Sequence, residues 1–107
     1  MTASRLSRLP RRRILAIEVP VAAGWHSRLL GLSGLDRDEA GPGLLIPRCA
    51  SIHTFGMRFA LDLHFLDGDG GVLAVRRAVP PRRVCGCRGA VAVLELPAGG
   101  DSAPAAT

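Results

Sequence analysis

Aromatic residues are scarce in this chain of 107 residues, which has one Trp, three Phe and no Tyr. The core must therefore be built mainly from aliphatic side chains. There are three cysteines, an odd number, which does not indicate a disulfide scaffold. No stretch approaches the roughly 20 apolar residues of a membrane helix, and no long apolar segment typical of a signal peptide follows the N-terminal arginines. We expect a cytoplasmic protein.

Lysine is also absent, so that all 14 basic residues are Arg, and the net charge is +5. This basicity is local. Five arginines precede Ile14, and beyond residue 13 nine Arg face nine Asp or Glu. Residues 1–12 are predicted to be a disordered, Arg-rich arm. It has no interleaved aromatic residues that could stack on bases, and we do not expect it to bind nucleic acid.

The strongest pattern in the sequence is an alternation over residues 58–66. Successive side chains of a strand point to opposite faces, whereas a helix would scatter these residues around its axis. The pattern therefore predicts a strand with one face in the core and a polar outer face. The predicted core face carries Phe59, Leu61, Leu63 and Phe65, and the outer face carries Arg58, Ala60, Asp62 and His64.

The rest of the chain reads as short strands around one helix. The helix is predicted over residues 22–32, with Trp25 and Leu29 as core anchors, and a polar loop follows over 36–43. The turn at 67–71 predicts a hairpin over 58–75, followed by a loop over 76–89. Strands are predicted over 13–21, 44–46, 51–66 (bent at Gly56), 72–75 and 90–96.

These elements predict a mainly β fold, a compact barrel or jelly-roll-like sandwich of short strands with one helix packed on it. One domain is expected over residues 13–99, because at this length a single core can form. The last residues, 100–107, form a predicted flexible tail.

Several blocks resemble the domain of unknown function 192 family. They are G-L-L-I at 43–46, S-I-H-T-F-G-M-R-F-A-L-D at 51–62, L-D-G-D-G-G-V-L at 66–73 and V-L-E-L-P-A-G at 93–99. The resemblance implies a compact, mostly β fold of barrel or jelly-roll type and no established activity. Members of the family usually continue into a last strand, but here Asp101 is followed by S-A-P-A-A-T. We therefore expect either an open sheet edge, through which the chain could self-associate, or a truncated product.

The candidate functional surface lies on and around the polar face of the predicted strand. Asp62 could orient a histidine that acts as a general base, but no nucleophile motif is present. The structural interpretation, which we favour, is that Asp62 accepts hydrogen bonds from Arg58 or from the Thr54 segment. A lone Glu95 in an apolar strand is expected to have a salt-bridge partner. The candidate residues are His53, Thr54, Met57, Arg58, Asp62, His64 and Glu95.

Metal binding is weakly indicated. Cys49, Cys85 and Cys87 are zinc-ligand types, but Cys-x-Cys and Cys-x3-His are poor spacings, and no metal or other cofactor is expected.

The leading hypothesis is a binding or accessory module with its ligand surface around His53 and Asp62. The alternative is a small hydrolase-like or metal-dependent enzyme that uses the same polar face.

Overall fold

The structure, a computed structural model, describes residues 5–99. A 3₁₀ turn spans Arg5–Arg8, and the strands β1 (Arg11–Ile14) and β2 (Ile17–Pro20) form an antiparallel hairpin. Leu15 and Ala16 both have positive φ, 49° and 66°, as a two-residue hairpin turn requires. The sequence predicts a disordered arm up to residue 12 and one strand over 13–21. The described part of the arm instead contains the 3₁₀ turn and the first residues of β1, which pair with β2.

The predictions for residues 1–4 of the arm and for the tail at 100–107 lie outside the described residues. The single domain over residues 13–99 stays a prediction.

The central sheet has the strand order β3-β8-β5-β6, and all its pairings are antiparallel. Its strands are β3 (Leu44–Pro47), β5 (Leu61–Leu66), β6 (Val72–Val79) and β8 (Ala92–Pro97). The predicted hairpin is confirmed as β5–β6, but β6 runs four residues further than predicted. Every residue of β5 is buried. The predicted solvent-facing side of this strand was therefore wrong, since both faces of the sheet are covered.

A second pairing joins β4 (Ser51–His53) and β7 (Val84–Gly86). We had predicted one strand over 51–66, bent at Gly56. A glycine with φ 82° does stand there, in a turn, but β4 and β5 belong to different sheets. The predicted loop over 76–89 also contains β7, which is too short to show a period.

Two short helices, α1 (Trp25–Leu30) and α2 (Arg37–Ala40), are present in residues 5–99, where the sequence predicted one. At the start of α2 the Glu39 carboxylate accepts a hydrogen bond from the Asp36 amide at 2.9 Å, as in a capping box. The role predicted for α1 was wrong. Trp25 is 75% exposed and Leu29 is 59% exposed, so neither anchors the helix in the core.

Apolar side chains cover both faces of the central sheet. One core cluster contains Leu44, Leu63 and Phe65, and the other packs Leu45 and Leu94 against the β1–β2 hairpin. The molecule is mainly β and sandwich-like, as predicted, and within residues 5–99 its sheets do not close into a barrel.

The two edges of the central sheet differ. Beside β3, a bridge pairs Val21 with Leu45, and the Ala22 amide donates to the Leu45 carbonyl at 2.8 Å. On the other side, β6 ends the sheet, and within the described residues no strand pairs with its outer side. Self-association through an open edge stays a prediction. No helix within residues 5–99 is long and apolar enough to cross a membrane.

Candidate functional site

The register of the central sheet separates the predicted polar residues. Leu63 lies opposite Glu95, whereas Asp62 lies opposite Leu96 and His64 opposite Leu94. Since directly opposed residues share a face, Glu95 points away from Asp62 and His64. The single polar surface that the sequence suggested is therefore divided between two sides of a buried sheet.

Asp62 holds a bulge in β6. The strand register shifts here, so that Arg77 and Ala78 together face Asp62. One carboxylate oxygen accepts the Ala78 N–H at 2.8 Å, and the other accepts from the Arg77 guanidinium at 3.3 Å. Ala78 has φ 52°, a conformation that such a bond helps to hold. The predicted partners were wrong, because Arg58 pairs with Asp36 at 2.9 Å on the surface.

Thr54 and Met57 also support the fold. Thr54 is fully buried, and its hydroxyl accepts the Arg83 N–H at 2.8 Å and donates to the Pro80 carbonyl at 2.7 Å. These bonds fix the segment between β6 and β7. Met57 packs in the larger core cluster.

His64 is sealed within the protein. Burial lowers the pKa of its imidazole, and the neighbouring Arg77 lowers it further, while Asp62 acts in the opposite direction. At neutral pH this histidine is therefore uncharged. It does not reach the cleft described next, because it faces the other side of the sheet.

The structure brings His53 and Glu95 together in one cleft. The cleft has a volume of about 440 Å³, which is within the range of small-molecule sites. The helix α1 forms one wall and the β4–β7 pair another. It is lined by Trp25, Arg28, Leu29, Leu30, Gly31, Ile46, Cys49, Ser51, Ile52, His53, Val84 and Glu95.

Glu95 is the most perturbed group of this cleft. Its side chain is 1% exposed, and burial raises the pKa of its carboxyl group to about 8. The Leu32 amide and the charge of Arg5 act in the opposite direction but do not offset burial. Within residues 5–99, its Oε1 has no hydrogen-bond partner. The predicted salt bridge does not form, because the Arg5 guanidinium donates instead to the carbonyls of Gly31 and Ser33, at 2.8 and 2.7 Å.

Gly31 gives the Glu95 carboxylate its space. A Cβ at this position would lie 3.0 Å from Oε1, and the backbone there has φ 54°, in the left-handed region. A side chain at this position would therefore crowd the carboxylate, which would have to shift.

His53 has one ring nitrogen engaged. Its Nδ1 accepts a hydrogen bond from the Phe55 amide at 3.2 Å. In the neutral ring the proton then lies on Nε2, which makes that atom a donor.

The three cysteines are half-buried and pack against the larger core cluster. Cys49 lines the cleft, and its thiol donates to the Ser51 carbonyl at 3.1 Å. Cys85 lies on β7 opposite Ile52. Within the part of the chain that the structure describes, no three His, Cys, Asp or Glu side chains form a metal-binding group.

Sequence reasoning missed Trp25 and Arg28 as cleft residues. The sequence showed apolar residues at helical spacing and predicted that they face the core. The polar run H-S-R at 26–28, inside the helix predicted over 22–32, was the available sign that this helix lies at the surface.

Comparison with known proteins agrees with this fold. The family model for domain of unknown function 192, described as "Uncharacterized ACR", matches residues 8–103. The chain belongs to the domain of unknown function 192 family. The family resemblance seen in the sequence is thereby confirmed, and the family's function is unknown. The comparison with curated proteins gives no match.

Two solved structures are similar to this member of the domain of unknown function 192 family. A protein of unknown function from Novosphingobium aromaticivorans is 22% identical with a TM-score of 0.61, over 75% of this chain and 62% of that one. A Sinorhizobium meliloti protein described as "a putative transcription regulator" is 25% identical with a TM-score of 0.67, over 78% of this chain and 70% of that one. The chain thus spans less than two thirds of the length of the first of these neighbours.

Proposed function

We propose that this protein is a binding module that takes a small molecule in the cleft between α1 and the β4–β7 pair. The observation that carries the proposal is the buried Glu95 carboxyl group in this cleft, with its Oε1 unpartnered. Such a group costs stability. Titratable groups with strongly shifted pKa values in a cleft are concentrated at functional sites.

The apolar rim of the cleft supports binding. Trp25, Leu29 and Val84 are large hydrophobic side chains that are mostly exposed, and all three line this one cleft. Grouped exposed apolar side chains mark contact sites for ligands or partners. Ile46 and Ile52 add apolar surface inside.

Binding fits the geometry better than catalysis does. A nucleophilic mechanism needs a hydroxyl or thiol within hydrogen-bond reach of a base. Within residues 5–99, no hydrogen bond joins His53 to such a group, and the Cys49 thiol is bonded to a carbonyl.

The test is a fragment screen by NMR, with acids, amines, alcohols and sugars in equal shares, mapped on the backbone amides. We expect hits that shift the amides of Gly31 and His53. Leu29→Ala should weaken them by about fivefold, the equivalent of about 1 kcal/mol of lost apolar contact. The matched control is Leu73→Ala, an exposed leucine of β6 that does not line the cleft. A screen without hits, or hits that map to residues outside the cleft, would refute the proposal.

A further inference from the structure

We propose that the ligand of this cleft is a small monocarboxylate, with its anionic group held by Arg28 and Glu95 and its apolar body against Trp25. This inference rests on the binding function proposed above and assigns the chemical class of its ligand.

Arg28 offers an unused donor. Its terminal nitrogen donates to the Arg48 carbonyl, while its Nε is buried and has no hydrogen-bond partner among the described residues. A buried, unpaired N–H of a charged group is costly, and an anionic oxygen is the acceptor that relieves this cost best.

Glu95 offers a second donor at neutral pH. With a pKa of about 8 its carboxyl group is mostly protonated there, and its unpartnered Oε1 is then available for a hydrogen bond. A carboxylic acid that is kept neutral by burial can donate to an anionic oxygen. The charged or titratable groups around it are Arg5 of the 3₁₀ turn and, in the cleft, Arg28, His53 and Cys49. Neither of its neighbours across the sheet, Leu44 and Leu63, can titrate.

His53 adds a third donor through Nε2, because its Nδ1 is occupied by the Phe55 amide. The side chains of the cleft therefore present donors to a ligand. Arg28 is the one arginine among the lining residues, and Glu95 adds no negative charge while it is protonated. A single positive charge matches a monoanion better than it matches a phosphate dianion.

The remaining surface of the cleft determines the body of the ligand. Trp25, Leu29 and Val84 form the rim, and the volume of about 440 Å³ admits an aromatic ring or a compact aliphatic group. An aromatic ring can stack offset or edge-on against Trp25.

Three probes of similar size test the assignment: benzoate, benzylamine and benzyl alcohol. Trp25 is the only tryptophan, so its fluorescence reports binding at the rim, and the Gly31 and His53 amide signals locate it. We expect benzoate to bind most tightly. Its affinity should fall about tenfold per pH unit above about pH 8, because ionised Glu95 repels the anion.

Two variants sharpen this test. Glu95→Gln keeps an N–H donor but cannot ionise, so benzoate binding should persist at pH 9. Arg28→Gln should weaken benzoate at least about tenfold, the worth of a charge-assisted hydrogen bond. Its control is Arg76→Gln, an exposed arginine on the far edge strand, which makes the same change in net charge.

The opposite pattern would overturn the assignment. In that pattern benzylamine binds more tightly than benzoate, gains affinity towards pH 9 and fails to bind the Glu95→Gln variant. That result would identify a cation site and leave the binding function intact. If none of the three probes binds while the fragment screen finds a cleft ligand of another class, the carboxylate assignment alone fails. If the screen is also blank, both proposals fail.

Discussion

Replacing Glu95 with Gln tests the central electrostatic feature of this protein. The carboxyl group is buried in β8 between β3 and β5, and desolvation raises its pKa from 4.5 to about 8. The unfolded chain ionises this group at its ordinary pKa. Because the folded-state pKa lies above the unfolded one, the folded protein binds the proton more tightly. The stabilising contribution of the Glu95 carboxyl group is therefore fully present below about pH 4.5 and is lost as the pH rises towards 8.

The size of the effect follows from the shift. Each pKa unit of the shift corresponds to about 1.4 kcal/mol. The contribution of Glu95 to the free energy of unfolding should therefore fall by about 3 kcal/mol between pH 4.5 and pH 7, and by about 5 kcal/mol once the group is fully ionised. Glutamine has a similar shape and no charge. Glu95→Gln should therefore match the wild type near pH 4.5 and be more stable by about 3 kcal/mol at pH 7.

Urea denaturation followed by far-UV circular dichroism from pH 4.5 to 9 measures this difference. The lowered pKa of His64 also makes stability depend on pH, but it is common to both proteins and cancels in the comparison. The control is Glu18→Gln, which removes an exposed carboxylate paired with Arg11 and should change the free energy of unfolding by less than about 1 kcal/mol. A Glu95→Gln protein that follows the wild type at every pH, or is less stable than it at pH 7, would refute the reasoning.

Three further substitutions separate structural residues from cleft residues, each measured by urea unfolding. Asp62→Asn should cost about 1–3 kcal/mol, because the bulge of β6 loses a charged acceptor, while Asp36→Asn in the exposed pair with Arg58 should cost less than about 1 kcal/mol. Equal costs for the two would contradict this role. Thr54→Val should cost about 1–3 kcal/mol, since the Arg83 amide and the Pro80 carbonyl lose their shared partner. Thr54→Ser keeps the hydroxyl and should keep most of the wild-type stability. If the serine variant is as unstable as the valine variant, the hydroxyl is not the cause. Trp25→Ala should change stability by less than about 0.5 kcal/mol, and a larger loss would restore Trp25 as a core residue.

Local patterns predicted the elements that depend on neighbouring residues. The alternation before Asp67 and the glycine-rich turn predicted the β5–β6 hairpin, because both strand and turn are encoded within a few residues. The capping pattern of Asp36 and Glu39 was also present in the sequence, although α2 was read as a loop. The sequence did not predict the β1–β2 hairpin, because a polar edge strand and a disordered arm can have the same Arg-rich composition.

The sequence by itself determined that Asp62 and His64 share one face of a strand and that Glu95 lies in an apolar strand. Only the tertiary structure decided that the face of Asp62 is covered, that Glu95 points to the other side of the sheet, and that Glu95 meets His53 and Trp25 in a cleft. The physical reason is that alternation fixes which side chains share a face within one strand. Which face is buried, and what meets across it, depends on strand order and on register between segments far apart in the chain.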